Sequence, residues 1–167
     1  SVEMLGQHLG VAHCFFNEID LERDTATTRF EYRCSDDLPP FVGTAHLSAY
    51  SPVTRTALEA SNTVVVTNTQ IDERTAPQYE TAYKVDRIGA YIAAPLLREG
   101  RWMATLIVST EAPQVWTEQE IALVKTVGER VWLTAEKLRS DAALRESQAI
   151  LTLSMRSSRM GAWSRDP

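Results

Sequence analysis

Apolar residues recur along this chain in two rhythms, steps of three and four and short continuous runs, and the two mark out its elements. Val2, Leu5 and Leu9 step by three and then four ahead of Gly10, which predicts a short amphipathic helix closed by a glycine cap. Val11 to Ile19 is apolar, aromatic and too short for a helix. After the polar stretch Asp20 to Thr25 comes a second β-like run, Thr27 to Cys34, so the two predict a hairpin. Ser35 to Gly43, with Asp36-Asp37 and Pro39-Pro40, reads as an extended loop that cannot continue a sheet. Ser51-Pro52 places a cap and a first-turn proline ahead of a helix ending near Asn62. Thr63 to Thr67 is a β-branched run, the mark of a buried strand. Residues 68 to 86 are polar and read as a broken helix lying over something.

The second half is clearer. Ile88 to Leu97 and Trp102 to Thr110 are apolar β-runs joined by Arg98-Glu-Gly-Arg101, a hairpin whose glycine supplies the turn. Thr117 and Glu120 have the spacing of a capping box. From there Ile121, Val124, Gly128, Val131, Ala135 and Leu138 step by three and four, predicting one helix to about residue 157. Hairpins in sequence with helices at the ends predict an α+β fold, an antiparallel sheet with helices on one face, loops on the other and a long C-terminal helix.

Bulk properties narrow the function classes. At 167 residues one core plus an appendage is expected. No apolar run approaches the roughly 18 to 20 residues needed to cross a bilayer, so no membrane partner is expected. The net charge of −5 and the scattered basic residues predict no nucleic-acid partner. The two cysteines, Cys14 and Cys34, lie outside any CxxC or His-containing ligand spacing. Reduced thiols in a cytoplasmic protein, and no metal, are the expectation. The chain opens Ser-Val-Glu-Met and stops at Asp166-Pro167, and we expect a piece of a longer protein.

Ala93-Ala-Pro-Leu-Leu-Arg-Glu-Gly-Arg-Trp-Met-Ala-Thr-Leu-Ile-Val108 resembles the core signature of GAF domains. Trp116-Thr-Glu-Gln-Glu-Ile-Ala-Leu-Val124 resembles that family's entry into its last helix, and Thr63 to Asp72 the strand and acidic turn ahead of its pocket-covering segment. The resemblance implies a sensory GAF domain over residues 1–138, with the end of an N-terminal helix at 1–9. Ala143-Leu-Arg-Glu-Ser-Gln148 and Met160-Gly-Ala-Trp163 resemble the lead-in and opening strand of a PAS domain. That second resemblance implies a helical linker at 139–158, a PAS start at 159–167, and a bacterial two-component setting of the sensor histidine kinase type, with signal passed to downstream PAS and kinase modules.

Site chemistry is weighed on the same residues. Family members that attach a bilin covalently resemble one another in a Cys near the pocket helix. Residues 70 to 90 contain neither Cys nor His, so no covalent bilin is expected and the cofactor is left open. Family members that bind cyclic nucleotides resemble one another in an Asn-Lys-Phe-Asp-Glu constellation, which is not found here in order; Asp72-Glu73 alone is only a dipeptide. A thiol-based reductase or redox sensor on Cys14 and Cys34 is the enzymatic alternative, although no catalytic residues are assigned. His13 and His46 are read as hydrogen-bonded or exposed. By family likeness Tyr79, Tyr83 and Tyr91 fall on the pocket cover and the strand beneath, and Phe16 and Tyr50 are expected to line the same space. Whether these aromatics enclose a small planar ligand or fill the space themselves stays open, the latter being a purely structural dimerisation module. The helix stripe weakens after Leu138 and resumes through Ala142, Leu144, Leu151 and Met155. We expect it to pair with a second copy, with Val124, Val131, Leu138 and Leu151 on the dimer helix.

Overall fold

The computed structural model describes the backbone of residues 1–163 and the side chains of residues 1–157. The elements follow in the order α1 (Val2–Leu9), β1 (His13–Asp20), β2 (Thr25–Arg33), β3 (Gly43–His46), α2 (Pro52–Glu59), β4 (Val64–Val66), β5 (Ala90–Arg98), β6 (Arg101–Thr110) and α3 (Glu118–Trp163). The expected PAS start at 159–167 lies outside the described side chains. Two compact units divide the chain, Ser1–Val131 and Trp132–Pro167.

The first unit is built on one six-stranded sheet in the order β3-β2-β1-β6-β5-β4, and every pairing is antiparallel. The expected strands and both hairpins are present. At the β5–β6 turn, Glu99 and Gly100 both have positive φ, 53° and 77°, the geometry of a two-residue turn whose twist matches the strands. The sheet has one strand more than expected, because Gly43 to His46, of which only Gly43 fell within the expected loop and the rest was given no element, pairs with Thr25 to Thr28. All four residues of β3 are exposed, so no buried face imprinted an alternating pattern on them.

Opposite faces of the sheet carry different covers. On one, Gly6 of α1 lies directly on the Tyr32 ring, and Gly128 of α3 sits over Leu106 and Leu96. Cys14, Leu106, Val108 and Val124 are fully buried. α2 does not join these helices, because Leu58 packs in the cluster of Ile19, Tyr91, Ala93 and Trp102 on the other face. Ser51 caps α2 by accepting from the Thr54 amide at 3.2 Å, as its place before Pro52 implied. The capping box of α3 closes in both directions: the Glu120 amide donates to Thr117 Oγ1 at 3.1 Å, and the Thr117 amide to Glu120 Oε2 at 2.9 Å.

In the second unit, taken alone, α3 exposes Leu133, Leu138, Leu144, Ile150, Leu151, Leu153 and Met155, each more than half accessible. No described helix is long and apolar enough to cross a membrane.

Candidate functional site

The site grows from the alternation of strand side chains. Phe15, Asn17 and Ile19 of β1, Thr28 of β2, Tyr91 and Ala93 of β5, and Thr105 and Ile107 of β6 all point to the face covered by α2. Together with residues of the cover they enclose a partly open cavity of about 130 Å³.

The cover is fastened at several points. Thr69 and Thr75 are fully buried; Thr69 Oγ1 donates to the Ile88 carbonyl at 2.6 Å, and Thr75 Oγ1 to the Thr69 carbonyl at 2.7 Å. Arg74 forms a two-pronged ion pair with Asp72 and reaches the Val65 carbonyl at 2.7 Å, which ties the segment to β4. Tyr79–Tyr83 forms a single π-helical turn and delivers Tyr83 inward. At its far end Gly89 lies so close to the Glu111 carbonyl that no Cβ could be accommodated.

Three of the expected aromatics meet at the cavity. The rings of Tyr83 and Tyr91 stack at 6.0 Å and 8° between planes, and Tyr50 meets Tyr83 edge-on at 5.7 Å. Tyr50 donates to Asp86 Oδ2 at 2.6 Å, and the Ser51 amide donates to Tyr83 Oη at 3.3 Å. Burial raises the pKa of all three phenols, so they remain neutral hydroxyls. Arg55 also lines the cavity but is held by Asp24 at 2.6 Å and Glu59 at 3.0 Å.

Two expected residues are elsewhere. Phe16 is on the opposite face, paired in register with Leu106, and Phe15 takes the place expected of it. A strand alternates every residue, so assigning the wrong neighbour puts a side chain through the sheet. Tyr79 packs at the margin of the core cluster without lining the cavity. Sequence reasoning also passed over Phe41, which stacks on Phe15 at 4.5 Å and sits in the loop between β2 and β3. It passed over Trp102 as well, whose indole donates to Thr105 Oγ1 at 2.9 Å. Asn17 was a further omission, and its signal was a lone amide in an apolar strand.

On the dimer-helix residues the structure draws a line within one stripe. Val124 is fully buried in the first unit and is unavailable to a partner; Val131 is half-buried, while Leu138 and Leu151 are exposed.

The thiol alternative is overturned by placement. Cys14 is fully buried on the face away from the cavity, and burial pushes its thiol up to about 12, far from the thiolate that such chemistry needs. Cys34 is exposed and not bonded to it. His13 is buried, its ring held by the Pro39 carbonyl at 3.0 Å and Ser109 Oγ at 3.4 Å, and burial lowers its pKa. His46 is exposed. Among the described residues no three His, Cys, Asp or Glu side chains come together as a metal ligand set.

The sequence of residues 1–134, which holds this sheet and the cavity on its α2 face, is matched by the family model for the GAF domain. The chain belongs to the GAF domain family. As a GAF domain it is a sensory module of signal transduction rather than an enzyme. Among curated proteins there is no match. Its fold is similar to the phycocyanobilin-bound GAF domain of a cyanobacterial phytochrome, at 11% identity and a TM-score of 0.69 over 81% of this chain and 80% of that one. It is also similar to a far-red cyanobacteriochrome photoreceptor, at 14% identity and a TM-score of 0.67 over 82% of each chain. A domain from a Sinorhizobium meliloti 1021 protein described as a two-component sensor histidine kinase has 17% identity and a TM-score of 0.63, over 86% of this chain and 92% of that one.

Proposed function

We propose that this GAF domain senses a small molecule in the cavity beneath Tyr50, Tyr83 and Tyr91 and relays its occupancy through α3, paired with that of a second copy, to a downstream PAS or kinase module in the cytoplasm. The observation that carries the reading is the cavity itself: the three tyrosines border about 130 Å³ of free space instead of filling it. That supports ligand binding over a purely structural dimerisation role. The volume falls below the roughly 300 Å³ at which drug-sized pockets begin, which favours a compact ligand over an open-chain tetrapyrrole. The absence of Cys and His from residues 70 to 90 argues the same way.

The relay follows from population shift. A ligand that binds better to one arrangement of the cover stabilises that arrangement by its difference in affinity, and nothing more. Ala45 lines the cavity mouth from an exposed position, so Ala45→Trp closes the mouth with little strain on the core. Native mass spectrometry of protein purified from cell extract should reveal a small bound molecule on the wild type and lose it on Ala45→Trp. Identical spectra for the two proteins overturn the sensing role.

A further inference from the structure

Asn17 sits in β1 between Phe15 and Ile19, on the face that lines the cavity, and it is 8% exposed. Its Oδ1 is buried and accepts no hydrogen bond. The neighbours across the ladder do not serve it. Asn17 pairs with Thr28 on β2, beside a bulge, and with Thr105 on β6, and neither hydroxyl donates to its Oδ1. A buried carbonyl oxygen without a donor is a standing cost to the fold, and buried polar groups are otherwise satisfied almost without exception. A molecule that brought a donor to this position in the cavity would satisfy the acceptor.

Three further features describe that molecule. Beyond the cross-strand Thr28 and Thr105, much of the cavity lining is apolar, with Ile19, Leu58, Ala93 and Ile107 among it. The free space is about 130 Å³, and an engineered apolar cavity of about 150 Å³ in another protein accepts benzene. The guanidinium of the lining, Arg55, is committed to Asp24 and Glu59, and the lining's other basic side chain, His46, lies on the exposed strand β3.

We propose that the cavity selects neutral aromatic molecules of one ring, or two small fused rings, that carry an N–H or O–H donor, and that the side-chain carbonyl of Asn17 is the acceptor that recognises this donor. The proposal rests on the reading of the cavity as the ligand site and adds the chemical class of ligand to it.

Indole and benzofuran test it, because they share a shape and differ in whether an N–H or a ring oxygen faces Asn17. Isothermal titration of the 167-residue protein should give binding of indole and at least about tenfold weaker binding of benzofuran. Asn17→Val should weaken indole by a similar factor and leave benzofuran unchanged. Equal affinities on the wild type, both lost in Ala45→Trp, overturn donor selection while leaving the cavity as a ligand site. Failure of both probes to bind the wild type overturns the proposal together with the reading beneath it. Should Asn17→Val not fold, the ratio of the two probes on the wild type still decides.

Discussion

Tyr50 and Asp86 are separated by 36 positions in the chain and joined by a 2.6 Å hydrogen bond from the phenol to the carboxylate. The bond latches the residue just ahead of α2 to the end of the cavity cover. Tyr50→Phe keeps the ring and removes the latch, and a hydrogen bond to a charged group is worth about 1.5 to 3 kcal/mol, less where the carboxylate is half exposed. We predict a loss of about 1 to 2 kcal/mol in denaturant unfolding, with faster hydrogen exchange over residues 79–86. Unchanged exchange in that segment would show that the latch does not hold the cover.

The two cysteines should differ sharply in reactivity. Cys34 should be modified within minutes by a thiol reagent, and Cys14 only after unfolding. The thiol of Cys14 is raised from 9.0 to about 12, so between those values the unfolded chain releases a proton that the folded one retains. Stability therefore falls as pH rises through this window, by up to about 1.4 kcal/mol per pH unit. Cys14→Ala should fall less steeply than the wild type from pH 9 to 12, and parallel slopes would refute the assignment.

Two glycines have opposite expected responses to alanine. A Cβ on Gly128 would meet the Leu106 Cβ at 3.4 Å, an ordinary contact, and alanine is the better helix former. Gly128→Ala should raise stability by about 0.5 to 1 kcal/mol. Gly89→Ala drives its methyl into the Glu111 carbonyl and should cost several times that amount, read by thermal melting.

Charge placed along α3 should separate folding from association. Val124→Glu buries a carboxylate in the first unit and should cost on the order of 4 kcal/mol or more. Leu138→Glu and Leu151→Glu alter exposed positions and should leave the melting temperature of the first unit nearly unchanged. In sedimentation they should shift the protein from dimer towards monomer. If both variants sediment as the wild type does, pairing through α3 is wrong.

The long helix and the last hairpin were legible because their signals are local: a capping box, a sustained period and a glycine turn. Phe16 and Phe15 were confused because an unbroken apolar run hides which residue faces which side, and the phase is set only when β1 pairs with β6. β3 left no trace because exposure demands no pattern. Val124 and Leu138 belong to one periodic stripe, yet one is buried within the first unit and the other is exposed in the second, since periodicity shows a helix's apolar side but not which of its turns that side is covered on. Asn17 was readable as an oddity, but its missing partner is a three-dimensional fact.

The sheet order places β1 beside β6, so His13 faces Ser109 across the middle of the sheet. A nascent chain has made β1 and β2 long before β6 leaves the ribosome, and until then the inner edge of β1 has no neighbour to bond with. Closure brings together segments some ninety positions apart, a non-local step that slows assembly and leaves a sticky ribbon in the meantime. Truncation before residue 101 should therefore yield an aggregation-prone product rather than a smaller native domain.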